Sequence, residues 1–400
     1  MALGSYTIII ILSTVVILSY IFSLISRKTN IPSVLLLIAS GIALKELMPI
    51  QWHYEAVVNK LVKILGAIGL IMIVLEAALD LKINRGKIKL IRNSFSSALF
   101  IFLISAFGIG LLIMQQLGVP LENAFIYAVP LSIISSSVAI PSAERLPEEK
   151  REFVIYESSF SDILGILLFN YLLMDDVLSL KAVGVFFGNV GLAIIISIIA
   201  SLLLIYTLTQ SKTNIRFFLV FAILALIYSL GEQIHLPSLL IVLVFGLVFN
   251  NNELILRGRL KTFLHNENIE GILSFLKSIT AETSFLLRTF FFILFGYTID
   301  LRLLIRQEVW QTGSMIVLIL FAVRFLYLRF ILKSNLFPEL FLMPRGLITI
   351  LLLYSIPASK SLGNFNAGIL FFVVVVTSLL MMLGLLFYKD NKKELLEKEI

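Results

Sequence analysis

Few side chains in this sequence are placed to do chemistry, and Asp162 is the most telling. It closes the stretch Tyr156-Glu157-Ser158-Ser159-Phe160-Ser161-Asp162 and is followed by Ile163-Leu164-Gly165-Ile166-Leu167-Leu168-Phe169. A charged carboxylate this deep in an apolar helix costs on the order of several kcal/mol unless something compensates it. Ser158 and Ser159 lie one turn earlier on the same helical face. One carboxylate with hydroxyls at hand suits a small cation or a proton; the structural alternative is a carboxylate neutralised by a neighbour. Glu157, five residues earlier, points elsewhere on the helix. It reads as the partner of a buried cation rather than as half of a two-carboxylate site.

Three other places carry polar groups inside apolar sequence. Pro130 and Pro141 bracket Leu131-Ser132-Ile133-Ile134-Ser135-Ser136-Ser137-Val138. Proline interrupts the helical hydrogen-bond ladder, and hydroxyls can stand in for the lost partners. This pattern fits a helix broken near the membrane midplane, although a kinked packing helix would share it. The run Met343-Pro344-Arg345-Gly346-Leu347-Ile348-Thr349 is a second candidate break. Arg345 there is either a snorkelling interfacial residue or a buried partner for Glu157. Arg324, within Leu320-Phe321-Ala322-Val323-Arg324-Phe325, can supply a fixed positive charge near the site. Glu76 stands one turn before Asp80 and is a candidate for lining a vestibule. The histidines at 52, 235 and 265 fall in or beside loops and make no metal site.

The elements that position these residues follow from the composition. Of 400 residues, 59% are apolar and 14% charged, about half the charged share of an ordinary soluble domain. A lipid-spanning helix takes roughly 20 mostly apolar residues. Charges and Pro/Gly breaks divide the chain into thirteen such segments: 6–25, 31–48, 61–80, 94–116, 122–141, 153–174, 182–208, 214–231, 236–250, 271–298, 309–331, 336–356 and 366–388. The first has no basic start and no small-residue cleavage site, so it reads as a span rather than a signal peptide. With the N-terminus outside, the inner loops hold 21 Lys or Arg and the outer loops 7. That positive-inside bias places the N-terminus outside and the C-terminus in the cytoplasm. The formal charge of +7 is read as meeting lipid headgroups, not nucleic acid. There is no cysteine and no GxxxxGK or dinucleotide fingerprint. No histidine lies deep in a span, which argues against an intramembrane hydrolase.

The expected organisation is a single membrane domain over 1–388, with a short tail over 389–400. A broken helix precedes a carboxylate helix in 94–174, and an arginine helix precedes a candidate break in 309–388. Discontinuous helices at corresponding positions point to an inverted-repeat transporter.

These patterns resemble the monovalent cation:proton antiporter superfamily, in particular its sodium/proton exchangers. The resemblance runs from Pro32 to the last helix. Ile31-Pro32-Ser33-Val34-Leu35-Leu36-Leu37 with Gly41 is similar to the family's second helix. Leu65-Gly66-Ala67-Ile68-Gly69-Leu70, leading to Glu76 and Asp80, is similar to its third. Phe291-Phe292-Ile293-Leu294-Phe295-Gly296-Tyr297-Thr298-Ile299-Asp300 resembles its FFxxxGxxxD stretch, and Pro344-Arg345-Gly346 resembles its second unwound helix. The most specific match is Glu157-Ser158-Ser159-Phe160-Ser161-Asp162, which the family writes E-S-x-F-N-D. Two departures stand out: Ser161 replaces the Asn, and Ser135-Ser136-Ser137 replaces a Thr-Asp-Pro.

The resemblance implies an all-α fold with two crossed discontinuous helices and a homodimer in the cell membrane. It places the ion- and proton-binding role on Asp162, a structural ion pair on Glu157 and Arg345, and a supporting role on Arg324. Ser135, Ser136, Ser137, Ser158, Ser159 and Ser161 are expected to add oxygens to the cation shell. Asp162 is expected to take H⁺ or a cation but not both, giving electroneutral 1:1 exchange. Na⁺ is the expected cation at Asp162, with Li⁺ and K⁺ the alternatives. No cofactor is expected. The rival readings are a non-transporting relative and a transporter of an organic substrate on the same fold.

Overall fold

A computed structural model describes residues 5–29, 31–47, 55–83, 85–174, 179–210, 216–234, 236–251, 269–334 and 336–388. Among these residues there is no strand. The reason is physical: in lipid the backbone must satisfy its own polar groups, and a helix does so within one segment. The three histidines and the tail 389–400 lie outside the described residues.

The helices in chain order are α1 (Ser5–Thr29), α2 (Ser33–Leu47), α3 (Glu55–Asp80), α4 (Ile88–Leu117), α5 (Leu121–Ser132), α6 (Ser136–Ser142) and α7 (Glu148–Leu172). They continue with α8 (Leu180–Gln210), α9 (Arg216–Gln233), α10 (Ser238–Asn250), α11 (Ile269–Thr298), α12 (Gln307–Leu326), α13 (Leu347–Tyr354) and α14 (Ala367–Phe387). α12 runs on as a π-helical turn over Tyr327–Leu332, closed by Lys333 at φ 51°. Exposed Leu192, Ile195, Ile199, Leu203 and Tyr206 repeat every three or four residues along α8. Such a stripe would be a liability in water and is the natural face of a helix in lipid.

The two sequence-predicted breaks take different forms. The segment 122–141 is α5 and α6, separated by extended backbone at Ile133 (φ −73°, ψ 130°) and Ser135 (φ −76°, ψ 115°). The segment 336–356 is not a helix with an early kink. Turns cover 337–341, residues 342–346 are irregular, and only the eight residues of α13 are helical. Pro338 and Pro344 account for this, because neither can donate to a helical ladder.

The helices fall into two compact units. The first comprises Met1–Glu55, Leu90–Asp162 and Phe292–Ile400, as far as these are described; it holds both breaks and Asp162. In it α2 and the end of α11 touch backbone to backbone. A Cβ on Gly41 would run into the Ile293 carbonyl, and one on Gly296 into that of Ile38. The second unit comprises Ala56–Lys89 and Ile163–Phe291. There Ser197 on α8 donates to the Ile241 carbonyl of α10 at 2.7 Å. Gly246 on α10 leaves room for Ala78 on α3. The expected core segment 309–388 lies in the first unit, while 94–174 crosses from the first to the second at Asp162.

Candidate ion-binding site

Breaking a helix leaves carbonyls without donors at one end and N–H groups without acceptors at the other. The first unit settles most of these groups with named partners. Ser135 N–H donates to the Pro344 carbonyl at 3.0 Å, so the two interrupted stretches bond to each other. They approach closely at Gly346, where a Cβ would stand 2.6 Å from Val138 Cγ2 and 2.7 Å from Ser135 Oγ. Ile134 N–H donates to Ser161 Oγ at 2.9 Å. Ser161 thus ties α7 to the first break.

Arg345 serves the carbonyl end. Its Nε donates to Leu131 O at 2.8 Å and its Nη2 to Ser132 O at 3.2 Å, which are the last carbonyls of α5. Its Nη1 donates to Met343 O at 2.6 Å, and its own N–H to Thr377 Oγ1 at 3.0 Å. A cation over a helix C-terminus is favourable by its dipole.

This corrects the pairing expected from the sequence. Glu157 bonds to Arg324, not Arg345. Arg324 Nη2 meets Glu157 Oε2 at 2.7 Å and Nη1 meets Oε1 at 3.0 Å, a two-pronged contact with both residues at most 1% exposed. Ser97 Oγ on α4 also donates to Glu157 Oε1 at 2.5 Å. Arg324 Nε donates to the Glu339 carbonyl at 2.7 Å. The orphan carbonyls of α5 claim Arg345, which leaves Arg324 for the glutamate.

Asp162 is buried, at 4% exposed, and has no ion-pair partner among the described residues. Its Oδ2 accepts a long bond of 3.3 Å from Ser136 N–H, at the first turn of α6. Its Oδ1 has no partner among the described residues. Buried polar atoms normally find one, so an unaccompanied oxygen on a buried carboxylate marks a place for a positive species.

The serines divide by role. Ser159 Oγ is buried and unpartnered, one turn before Asp162 on the same helix. Ser158 Oγ donates to Val154 O at 2.7 Å, which leaves its lone pairs. Ser135 and Ser137 hydroxyls bond to each other at 2.9 Å. Glu76 belongs to the second unit, where Arg288 Nη2 reaches its Oε1 at 3.4 Å. Three partners escaped the sequence reading: Ser97, Thr377 and Glu339. The first two are polar residues in apolar helices, which was the available signal. Glu339 was hidden inside a segment read as a span.

The family model described as "Sodium/hydrogen exchanger, transmembrane" matches residues 11–387. The fold is similar to a solved structure of the sodium proton antiporter MjNhaP1 from Methanocaldococcus jannaschii at pH 8. The TM-score is 0.71 at 19% identity, covering 94% of this chain and 97% of the other. An electron-microscopy structure of the same antiporter matches with a TM-score of 0.68 at 17% identity, covering 97% of this chain and all of the other. No curated protein matches in sequence.

Proposed function

Because the chain belongs to the sodium/hydrogen exchanger family, a family of secondary active transporters and not of enzymes, we propose that Asp162 is its single exchanging carboxylate. One observation carries this reading: of the two carboxylates buried on α7, Glu157 is fully engaged and Asp162 is not. A bare carboxylate in low dielectric needs a positive charge beside it. A proton on Oδ1 or a monovalent cation against it answers the need equally, and each excludes the other. Every carrier cycle then moves one cation one way and one proton the other, with no net charge.

The shell around a cation would come from Asp162, the free oxygens of Ser159 and Ser158, and water. Oxygen donors suit Na⁺, Li⁺ or K⁺. Na⁺ is the cation we favour, since the structural relatives are described as sodium proton antiporters. The family's Thr-Asp-Pro is serine here, so the crossing holds no second acid beside Asp162 and no second positive charge is needed. We further propose that the N-terminus lies outside and the C-terminus in the cytoplasm, as the basic loops favour. The protein would work as a homodimer in the cell membrane, in which 94–174 and 309–388 move against the remaining helices.

The test is cation-driven pH change in proteoliposomes, across Na⁺, K⁺ and Li⁺, with and without a clamped membrane potential. Electroneutral exchange gives rates independent of the potential, and Asp162→Asn abolishes them. Full exchange by Asp162→Asn would overturn the assignment.

A further inference from the structure

A polar cavity of about 290 Å³ lies in the first unit, and Asp162 is not among its lining residues. Asn93 on α4, Glu149 and Lys150 at the start of α7, and Ser334 and Glu339 from the connection between α12 and α13 line it. Lys150 Nζ meets Glu339 Oε1 at 2.5 Å and also donates to Phe337 O at 3.0 Å. That accounts for one glutamate oxygen. The other, Glu339 Oε2, is buried with no partner among the described residues, on a residue only 7% exposed. Ser334 Oγ is a second buried atom on the same cavity without a partner among the described residues.

The chemistry of the lining selects a ligand. Two carboxylates against one ammonium leave a single negative charge. The other donors are a hydroxyl and a side-chain amide, with no sulfur or imidazole among the described lining residues. A net charge of one with hard oxygen donors matches a partly hydrated monovalent cation. Divalent ions gather more carboxylates. The volume leaves room for the ion and its remaining waters.

We propose that this cavity is a second, non-transported site for a monovalent cation, held by Glu339 and Ser334. Its location gives it a lever. Glu339 lines the cavity with its side chain, while its main-chain carbonyl accepts from Arg324, the residue that clasps Glu157. An ion that fixes Glu339 also fixes one of the bonds that orient Arg324. By linkage, a cation here and the buried pair influence each other reciprocally. The assignment rests on the cavity itself, so it stands or falls separately from exchange at Asp162.

The test is equilibrium binding of ²²Na⁺ to the purified full chain carrying Asp162→Asn, with size-exclusion profiles as a folding control. Saturable binding is expected to persist in this background. Adding Glu339→Gln should weaken it by at least about tenfold, the scale of a lost charge-assisted ligand. Adding Ser334→Ala should weaken it about two- to fivefold, as loss of one neutral ligand does. If Glu339→Gln fails to fold, Ser334→Ala and Asn93→Ala decide, since neither removes a charge. Absence of saturable binding in Asp162→Asn would overturn the proposal, as would binding left unchanged by the folded cavity variants. Residual exchange by Asp162→Asn, by contrast, would count against the carboxylate assignment alone.

Discussion

Glu157 and Asp162 are two buried carboxylates on one helix, and their surroundings differ completely. Five residues on an α-helix turn through roughly 500°, so the two side chains point about 140° apart. That rotation sends Glu157 toward Ser97 on α4 and Arg324 on α12, and Asp162 toward the first turn of α6. Glu157 accepts three short bonds, two of them from a guanidinium. Asp162 accepts one long bond from a backbone N–H. The same side-chain chemistry therefore supports opposite tasks. A carboxylate with a permanent counter-charge has no use for a mobile one, whereas a bare carboxylate can exchange its counter-charge.

Substitutions can break this comparison in order of size. Asp162→Asn keeps the shape and removes the charge, so exchange should vanish while thermal stability stays level or rises; proteoliposome flux and melting of the same preparation check both halves. Glu157→Gln should do the reverse. It strands Arg324 as a buried uncompensated charge, a loss of about 3–5 kcal/mol, read as a lowered melting temperature. Removing both charges with Glu157→Leu and Arg324→Met together should recover most of that loss, because a buried pair is often replaceable by apolar groups. Arg345→Met should cost a comparable amount, about 1–3 kcal/mol for each unserved carbonyl of Leu131 and Ser132, and should slow exchange by loosening the crossing. Ser161→Ala is the smallest step. It orphans the Ile134 N–H at about 1–3 kcal/mol, visible as faster amide hydrogen exchange in the 133–135 stretch.

Much of this was legible in the sequence. Proline spacing around a serine run announces the first break, because the missing N–H groups and the compensating hydroxyls are both residue types. Asp162 is legible for the same reason, as a carboxylate followed by twelve residues without a charge. The partner of Glu157 was not. Two arginines stood in apolar sequence, and spacing along the chain does not say which one a distant glutamate meets. The deciding factor is a demand created by folding: α5 ends at Ser132 with bare carbonyls, and Arg345, beside the other break, is the donor within reach. The second break was located, but its extent was not. Apolar residues such as Phe337, Leu340 and Phe341 read as the start of a span, whereas they form turns, of which Leu340 and Phe341 pack onto the end of α12. Glu339 was concealed in the same way.

The apparent affinity for the cation should tighten as pH rises, because the proton is the competitor for Asp162. This competition can be counted directly. Purified protein in weakly buffered detergent solution is mixed with Na⁺, and the protons released are read with a pH indicator. The wild-type chain should release one proton for each cation bound at Asp162, the folded Glu157→Leu/Arg324→Met variant should do the same, and Asp162→Asn should release none. Undiminished proton release from Asp162→Asn would contradict the assignment of exchange to that carboxylate.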